Sequence, residues 1–107
     1  WCPYTLWRTT GDGEIVGWDV EAALTAAAIA KGESYEGCWA YPDFVAFPGP
    51  VSDPAELRAM FSTYAMMAAP LILSFNILDD SKLLQAWSTL TNEEVIAVNQ
   101  VAGAPGR

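Results

Sequence analysis

The sequence predicts an α/β fold built on a parallel sheet. Short β-branched and aromatic runs alternate with helical patterns in the order strand, helix, strand, helix, strand, helix. The run Leu71-Ile72-Leu73-Ser74-Phe75 is almost wholly apolar, as a parallel strand covered on both faces is. Each strand end is followed by acidic or polar residues, namely Asp12, Asp43 and then Asn76.

Tyr4 to Trp7 mixes β-branched, aromatic and leucine side chains and reads as a short buried strand. Gly11 to Gly17 holds three glycines and reads as a loop. A helix is expected from about Trp18 to Ala30, with Asp19 and Glu21 in the first turn, where the helix dipole favours them. Lys31-Gly32 fits its C-terminal stop. Cys38 to Tyr41 is the second strand, and Pro42, Pro48 and Pro50 impose an irregular loop after it. Asp53-Pro54-Ala55-Glu56 opens a helix with a cap, a proline at the first helical position and a glutamate at capping-box spacing. That helix is expected to reach Ala69, because Leu57, Met60, Phe61, Tyr64, Ala65 and Ala68 recur on one face. Met66 and Met67 read as packing, since thioethers alone ligate few metals. After the run at Leu71, a third helical region carries Leu83, Leu84, Trp87 and Leu90 on one face. Thr91 with Glu94 forms a capping box for a helix through about Val98. The tail from Ala102 to Arg107 is linker-like.

Composition narrows the function classes. Hydrophobic residues make up 52% of the 107, which suits a packed domain rather than a disordered chain. The net charge of -8 argues against nucleic acid and against anionic membranes, since both need basic patches. No apolar segment is long enough to span a bilayer. There is no histidine, so a Ser-His-Asp triad is excluded. Cys2 and Cys38 lack the spacing of a zinc site, which leaves either a disulfide or two buried thiols. No metal site or cofactor is expected, and no GxGxxG or P-loop follows a strand, which weakens a nucleotide-binding sheet.

The stretch Leu6-Trp7-Arg8-Thr9-Thr10-Gly11-Asp12 concentrates the chemistry: a fixed cation, two hydroxyls, a glycine and a carboxylate after a strand. Taken alone it reads first as a surface turn with an ordinary Arg–Asp pair. In a (β/α) barrel, however, all strand ends share one rim, so Asp12 and Asp43 would converge on one site. Three βα units do not close such a barrel, which typically needs eight units and ~250 residues.

Four blocks carry a resemblance to a known family. They are Leu6-Trp7-Arg8-Thr9-Thr10-Gly11-Asp12, Cys38-Trp39-Ala40-Tyr41-Pro42-Asp43-Phe44, Tyr64-Ala65-Met66-Met67-Ala68-Ala69-Pro70-Leu71-Ile72 and Asn92-Glu93-Glu94-Val95-Ile96-Ala97-Val98-Asn99-Gln100. In this order and spacing the chain resembles glycoside hydrolase family 27, which contains the α-galactosidases (melibiases) and α-N-acetylgalactosaminidases. The resemblance implies that residues 1–107 are part of a (β/α)8 TIM barrel, about its last three βα units (strands 6 to 8), with no complete second domain. It implies a retaining glycosidase with two aspartates, acting on galactosides without a cofactor. Asp12 matches the general acid/base, Arg8 an arginine that binds sugar hydroxyls, and Asp43 an aspartate lining the substrate pocket. Phe44 occupies a pocket position where methionine is common. The nucleophilic aspartate would lie on an earlier strand, so the isolated chain is expected to be inactive. The resemblance further implies a secreted or lysosomal/vacuolar protein and leaves a homodimer open for the full-length form.

The chain departs from the family pattern in several places. Ala40-Tyr41 stand where Asn-Asp is usual, and Gly13 where isoleucine is usual. Trp18 sits one residue late, and Asn76 replaces a common aspartate. Val101-Ala102-Gly103 replaces Asp-Pro-Leu-Gly. Some members pair a cysteine near the Cys2 position with an upstream partner, and Cys38 stands where glycine is usual, so the family gives no support for a Cys2–Cys38 bridge. The lost polar supports at Ala40 and Tyr41 keep an alternative open: a non-catalytic carbohydrate-binding or structural relative of the barrel.

Overall fold

The computed structural model describes residues 2–9, 25, 33–47 and 53–101. The expected Gly11–Gly17 loop, the acid/base candidate Asp12, Pro48, Pro50 and the tail from Ala102 lie outside the described residues. So does the Trp18–Ala30 helix, except for Thr25, which is helical.

The described residues form a mixed helix-and-strand fold with a two-stranded parallel sheet and three helices, compatible with a piece of an α/β domain. Strand β1 is Leu6–Arg8 and strand β2 is Trp39–Tyr41. Their register pairs Leu6 with Trp39, Trp7 with Ala40 and Arg8 with Tyr41. The bonding continues past the strand, where the Thr9 N–H donates to the Tyr41 carbonyl at 2.9 Å. β1 begins two residues later than its sequence pattern suggests, and Tyr4 is exposed.

Two features fix where β2 begins. A tight turn closes between Tyr35 and Cys38, with Gly37 at φ +84°, a conformation glycine adopts without steric cost. A Cys2–Cys38 disulfide then joins the approach to β1 to the first residue before β2. This settles the choice between a disulfide and two thiols.

Helix α1 is Pro54–Met66. Its start is as expected: the Asp53 carboxylate accepts from the Ala55 N–H at 2.7 Å, with Pro54 at the first helical position. Leu57, Met60, Phe61, Tyr64 and Ala65 form its buried face. The helix stops three residues before the expected Ala69. Ala68 turns to φ 53°, its N–H donates to the Ala65 carbonyl at 3.1 Å, and the Ala69 N–H donates to the Tyr64 carbonyl at 3.0 Å. These are the two bonds of a Schellman cap, which satisfy carbonyls the last turn leaves open. Ala68 therefore belongs to the cap and not to the apolar stripe. Just before this turn Met67 is buried while Met66 is exposed.

The run Leu71–Phe75 is not a regular strand. It makes a single parallel bridge, in which the Val45 N–H donates to the Ile72 carbonyl (2.7 Å) and the Ser74 N–H to the Val45 carbonyl (2.9 Å). Both ends of the run prevent extension. Pro70 has no N–H to donate, and Asn76 folds the other end by accepting from the Leu78 N–H at 3.1 Å. Ile72 and Leu73 stay exposed, so the run is not covered on both faces.

Helix α2 is Asp80–Leu90, capped by Asp79. Its inward face differs from the expected one. Ala86 and Thr89 are buried, whereas Leu84 and Trp87 point outward at 74% and 54% exposure. Helix α3 is Glu93–Gln100. Its cap is Asn92, which accepts from the Val95 N–H at 3.1 Å, rather than Thr91. The Thr91 hydroxyl instead donates back to the Trp87 carbonyl at 2.7 Å, closing α2.

The core joins Ala40, Val45 and Phe47 to Leu57, Met60, Phe61 and Tyr64 of α1 and to Ala86 of α2. α3 is anchored by a polar contact. The buried Asn99 amide donates to the Ala69 carbonyl at 2.8 Å, giving that buried carbonyl a partner.

Candidate functional site

Parallel pairing brings the C-terminal ends of β1 and β2 to the same edge, and the polar side chains gather there. Arg8 is the last residue of β1, and Asp43 follows β2 by two positions. Arg8 Nη1 lies 3.5 Å from Asp43 Oδ1. The Asp43 side chain is 10% exposed and that of Arg8 38%, so a nearly buried carboxylate meets a cation that still reaches solvent.

The same Asp43 oxygen accepts from the Phe44 N–H at 2.8 Å. Phe44 is part-exposed, and its ring stacks on Tyr41 with centroids 5.6 Å apart and planes 6° from parallel. One carboxylate oxygen thus ties a cation to the backbone of an aromatic residue. Beneath this edge, Tyr64 of α1 is buried. Burial pushes its phenol well up from its ordinary value, and the Asp43 carboxylate pushes the same way.

Of the residues singled out in the sequence, Arg8, Asp43 and Phe44 come together, while Asp12 lies outside the described residues. Arg8 is bonded to Asp43, a partner that the Arg8–Asp12 spacing alone does not suggest. The sequence marks Tyr41 as a strand end and a lost polar support, not as a site residue. Its signal was available as an aromatic pair three residues apart across Pro42. Among the described residues, no three His, Cys, Asp or Glu side chains cluster as a metal site.

Charged and aromatic side chains thus meet at the strand ends of a mixed α/β unit. The comparisons with known proteins give a distant relative. An α-galactosidase of Oryza sativa subsp. japonica is 34% identical over 98 residues, which cover 88% of this chain and 22% of that protein. The chain therefore spans about a fifth of that relative's length, and the similarity supports a link to glycosidases at the level of common origin. No family model matches the chain. No solved structure matches it. The disulfide and this kinship fit a secreted-type, non-cytosolic protein. Among the described residues, no helix is long and apolar enough to cross a membrane.

Proposed function

We propose that the chain is part of the catalytic (β/α)8 barrel of a retaining α-galactosidase, contributing about its last three βα units. The enzyme removes terminal α-D-galactosyl residues from oligosaccharides or glycoconjugates. The observation that carries this reading is the Arg8–Asp43 pair beside Phe44, all at the C-terminal ends of two parallel strands. That is the end at which barrel enzymes assemble their sites. The kinship with the rice α-galactosidase supports the substrate class.

In this mechanism Asp12 protonates the leaving-group oxygen while a carboxylate from outside the chain attacks the anomeric carbon. Asp12 then takes a proton from the water that releases the sugar. Arg8 donates hydrogen bonds to sugar hydroxyls, and Asp43 accepts one and keeps Arg8 oriented. A nearby ionised nucleophile favours the protonated form of the acid, and Arg8 opposes it. The protein is secreted or lysosomal/vacuolar on this reading.

One observation favours the alternative, a carbohydrate-binding relative without catalysis. Ala40 is fully buried in the core and Tyr41 is occupied in a ring stack, where the family has two polar supports. The test is hydrolysis of an α-linked galacto-oligosaccharide by the longer protein carrying this chain. Asp12→Asn is expected to lower turnover by roughly 10²–10⁴-fold while leaving the fold intact. Unchanged turnover in Asp12→Asn would exclude the assigned role, and an inactive parent that still binds galactosides would establish the binding relative.

A further inference from the structure

The stacked pair at the strand ends is a feature of this chain rather than of the family pattern, because Tyr41 stands where an aspartate is usual. A centroid separation of 5.6 Å with planes 6° apart is wider than the ~3.5–4.0 Å carbon contact gap, so the rings are offset. Neither ring fully covers the other, and Phe44 is 37% exposed. Phe47, Phe61 and Tyr64 are buried in the core, and Trp7 and Phe75 are partly buried against it.

The pair is also tightly placed. Tyr41 is in register with Arg8, and its carbonyl accepts from the Thr9 N–H, so β1 fixes its backbone. Pro42 limits the torsions between the two rings. The Phe44 N–H is held by Asp43 Oδ1, the same oxygen that faces Arg8. The aromatic surface and the charged edge therefore cannot shift independently. An apolar plate beside a cation and a carboxylate matches a pyranoside, which presents C–H bonds on one face and hydroxyls around its rim. The galacto configuration gathers the C–H bonds of its third, fourth and fifth ring carbons on one face, because its axial O4 projects to the other.

We propose that Tyr41 is a positioning residue of this site: its ring holds Phe44 as a shelf for the C–H face of a galactopyranoside whose hydroxyls reach the Arg8–Asp43 edge. The proposal deepens the reading above and takes its substrate class from it. Tyr41 acts through Phe44, so losing either ring has the same effect.

Binding, not turnover, tests it. The longer protein is titrated with methyl α-D-galactopyranoside, and saturation-transfer NMR is recorded from the aromatic protons. Transfer is expected to fall mainly on the sugar C–H face. Tyr41→Ala and Phe44→Ala are each expected to weaken affinity roughly two- to tenfold, with no further loss in the double variant. Tyr41→Phe keeps the ring and keeps the affinity, while Tyr41→Leu keeps the bulk for folding and loses it. Unchanged affinity in Tyr41→Leu, additive losses in the double variant, or no sugar binding at all would each overturn the shelf. If the shelf behaves as expected but Asp12→Asn leaves hydrolysis untouched, the catalytic assignment fails and the shelf stands. If Tyr41 proves neutral while Asp12→Asn abolishes hydrolysis, the reverse holds.

Discussion

Arg8 and Asp43 are 35 positions apart in sequence, yet Arg8 Nη1 sits 3.5 Å from an Asp43 oxygen that also accepts the Phe44 N–H at 2.8 Å. The two contacts differ in weight. The ion pair is long and its cation is more than a third exposed, so solvent screens it and it contributes at most ~1 kcal/mol. The bond from the Phe44 N–H is shorter and is directed at the nearly buried carboxylate, so it contributes roughly 0.5–1.5 kcal/mol. Asp43→Asn, which keeps an acceptor oxygen, is therefore expected to destabilise the chain less than Asp43→Ala. Urea denaturation of both variants checks this, and equal losses would mean that the charge, not the backbone bond, dominates.

At Ala68 the cap of α1 places a residue with a Cβ at φ 53°. An L-residue there carries roughly 1–2 kcal/mol of steric cost that glycine avoids. Glycine gives back up to ~1 kcal/mol through its freer unfolded state. Ala68→Gly is thus expected to raise stability by about 0.5–1 kcal/mol. A lower denaturation midpoint for this variant would contradict the cap geometry.

How much of this was legible beforehand depended on whether the signal was local. The start of α1 was legible because its cap, proline and apolar stripe agree within a few residues. A parallel sheet is legible in the alternation of strand and helix patterns, although the strands form at Leu6–Arg8 and Trp39–Tyr41 rather than at Tyr4–Trp7 and Cys38–Tyr41. The end of α1 is not legible in the sequence, because alanine is a good helix former and nothing in Met67-Ala68-Ala69 announces a left-handed turn. The run Leu71–Phe75 reads as a covered strand from its hydrophobicity, but it has no ladder partner beyond Val45 and leaves Ile72 and Leu73 exposed. Leu84 and Trp87 of α2 satisfied a helical period, but period alone does not say which face meets α1. At the site, the resemblance singles out Arg8, Asp43 and Phe44 one by one, while their meeting at one carboxylate oxygen depends on tertiary geometry. The Cys2–Cys38 pairing was likewise open, since two cysteines do not reveal their separation in space.

That disulfide closes a loop of 36 positions around the connection between β1 and β2. The chain-entropy estimate for such a loop is roughly 3–4 kcal/mol. Reduction, or Cys38→Ser, is expected to lower the melting temperature by roughly 15–25 °C and to loosen the register that brings Arg8 to Asp43. Thermal unfolding with and without dithiothreitol measures it. An unchanged midpoint on reduction would show that the bridge constrains nothing the rest of the fold does not.

Alkaline pH should destabilise the chain through Tyr64. Its phenol is raised well above the ordinary value of 10.0, first by burial and then by the Asp43 carboxylate. Below pH 10 the phenol is protonated in both folded and unfolded chains, and its contribution is constant. Above that value the unfolded chain releases the proton while the folded chain retains it, so the unfolded state binds fewer protons and stability falls as pH rises. The slope approaches about 1.4 kcal/mol per pH unit once the unfolded phenol is mostly ionised. Tyr64→Phe removes the ionisable group and keeps the ring in the core. Urea midpoints from pH 8 to above 11 are expected to fall more steeply for the parent than for Tyr64→Phe, with the two curves parallel below pH 9. Curves that stay parallel throughout would mean that Tyr64 ionises as readily folded as unfolded, and that its hydroxyl is not held in the buried setting beside Asp43.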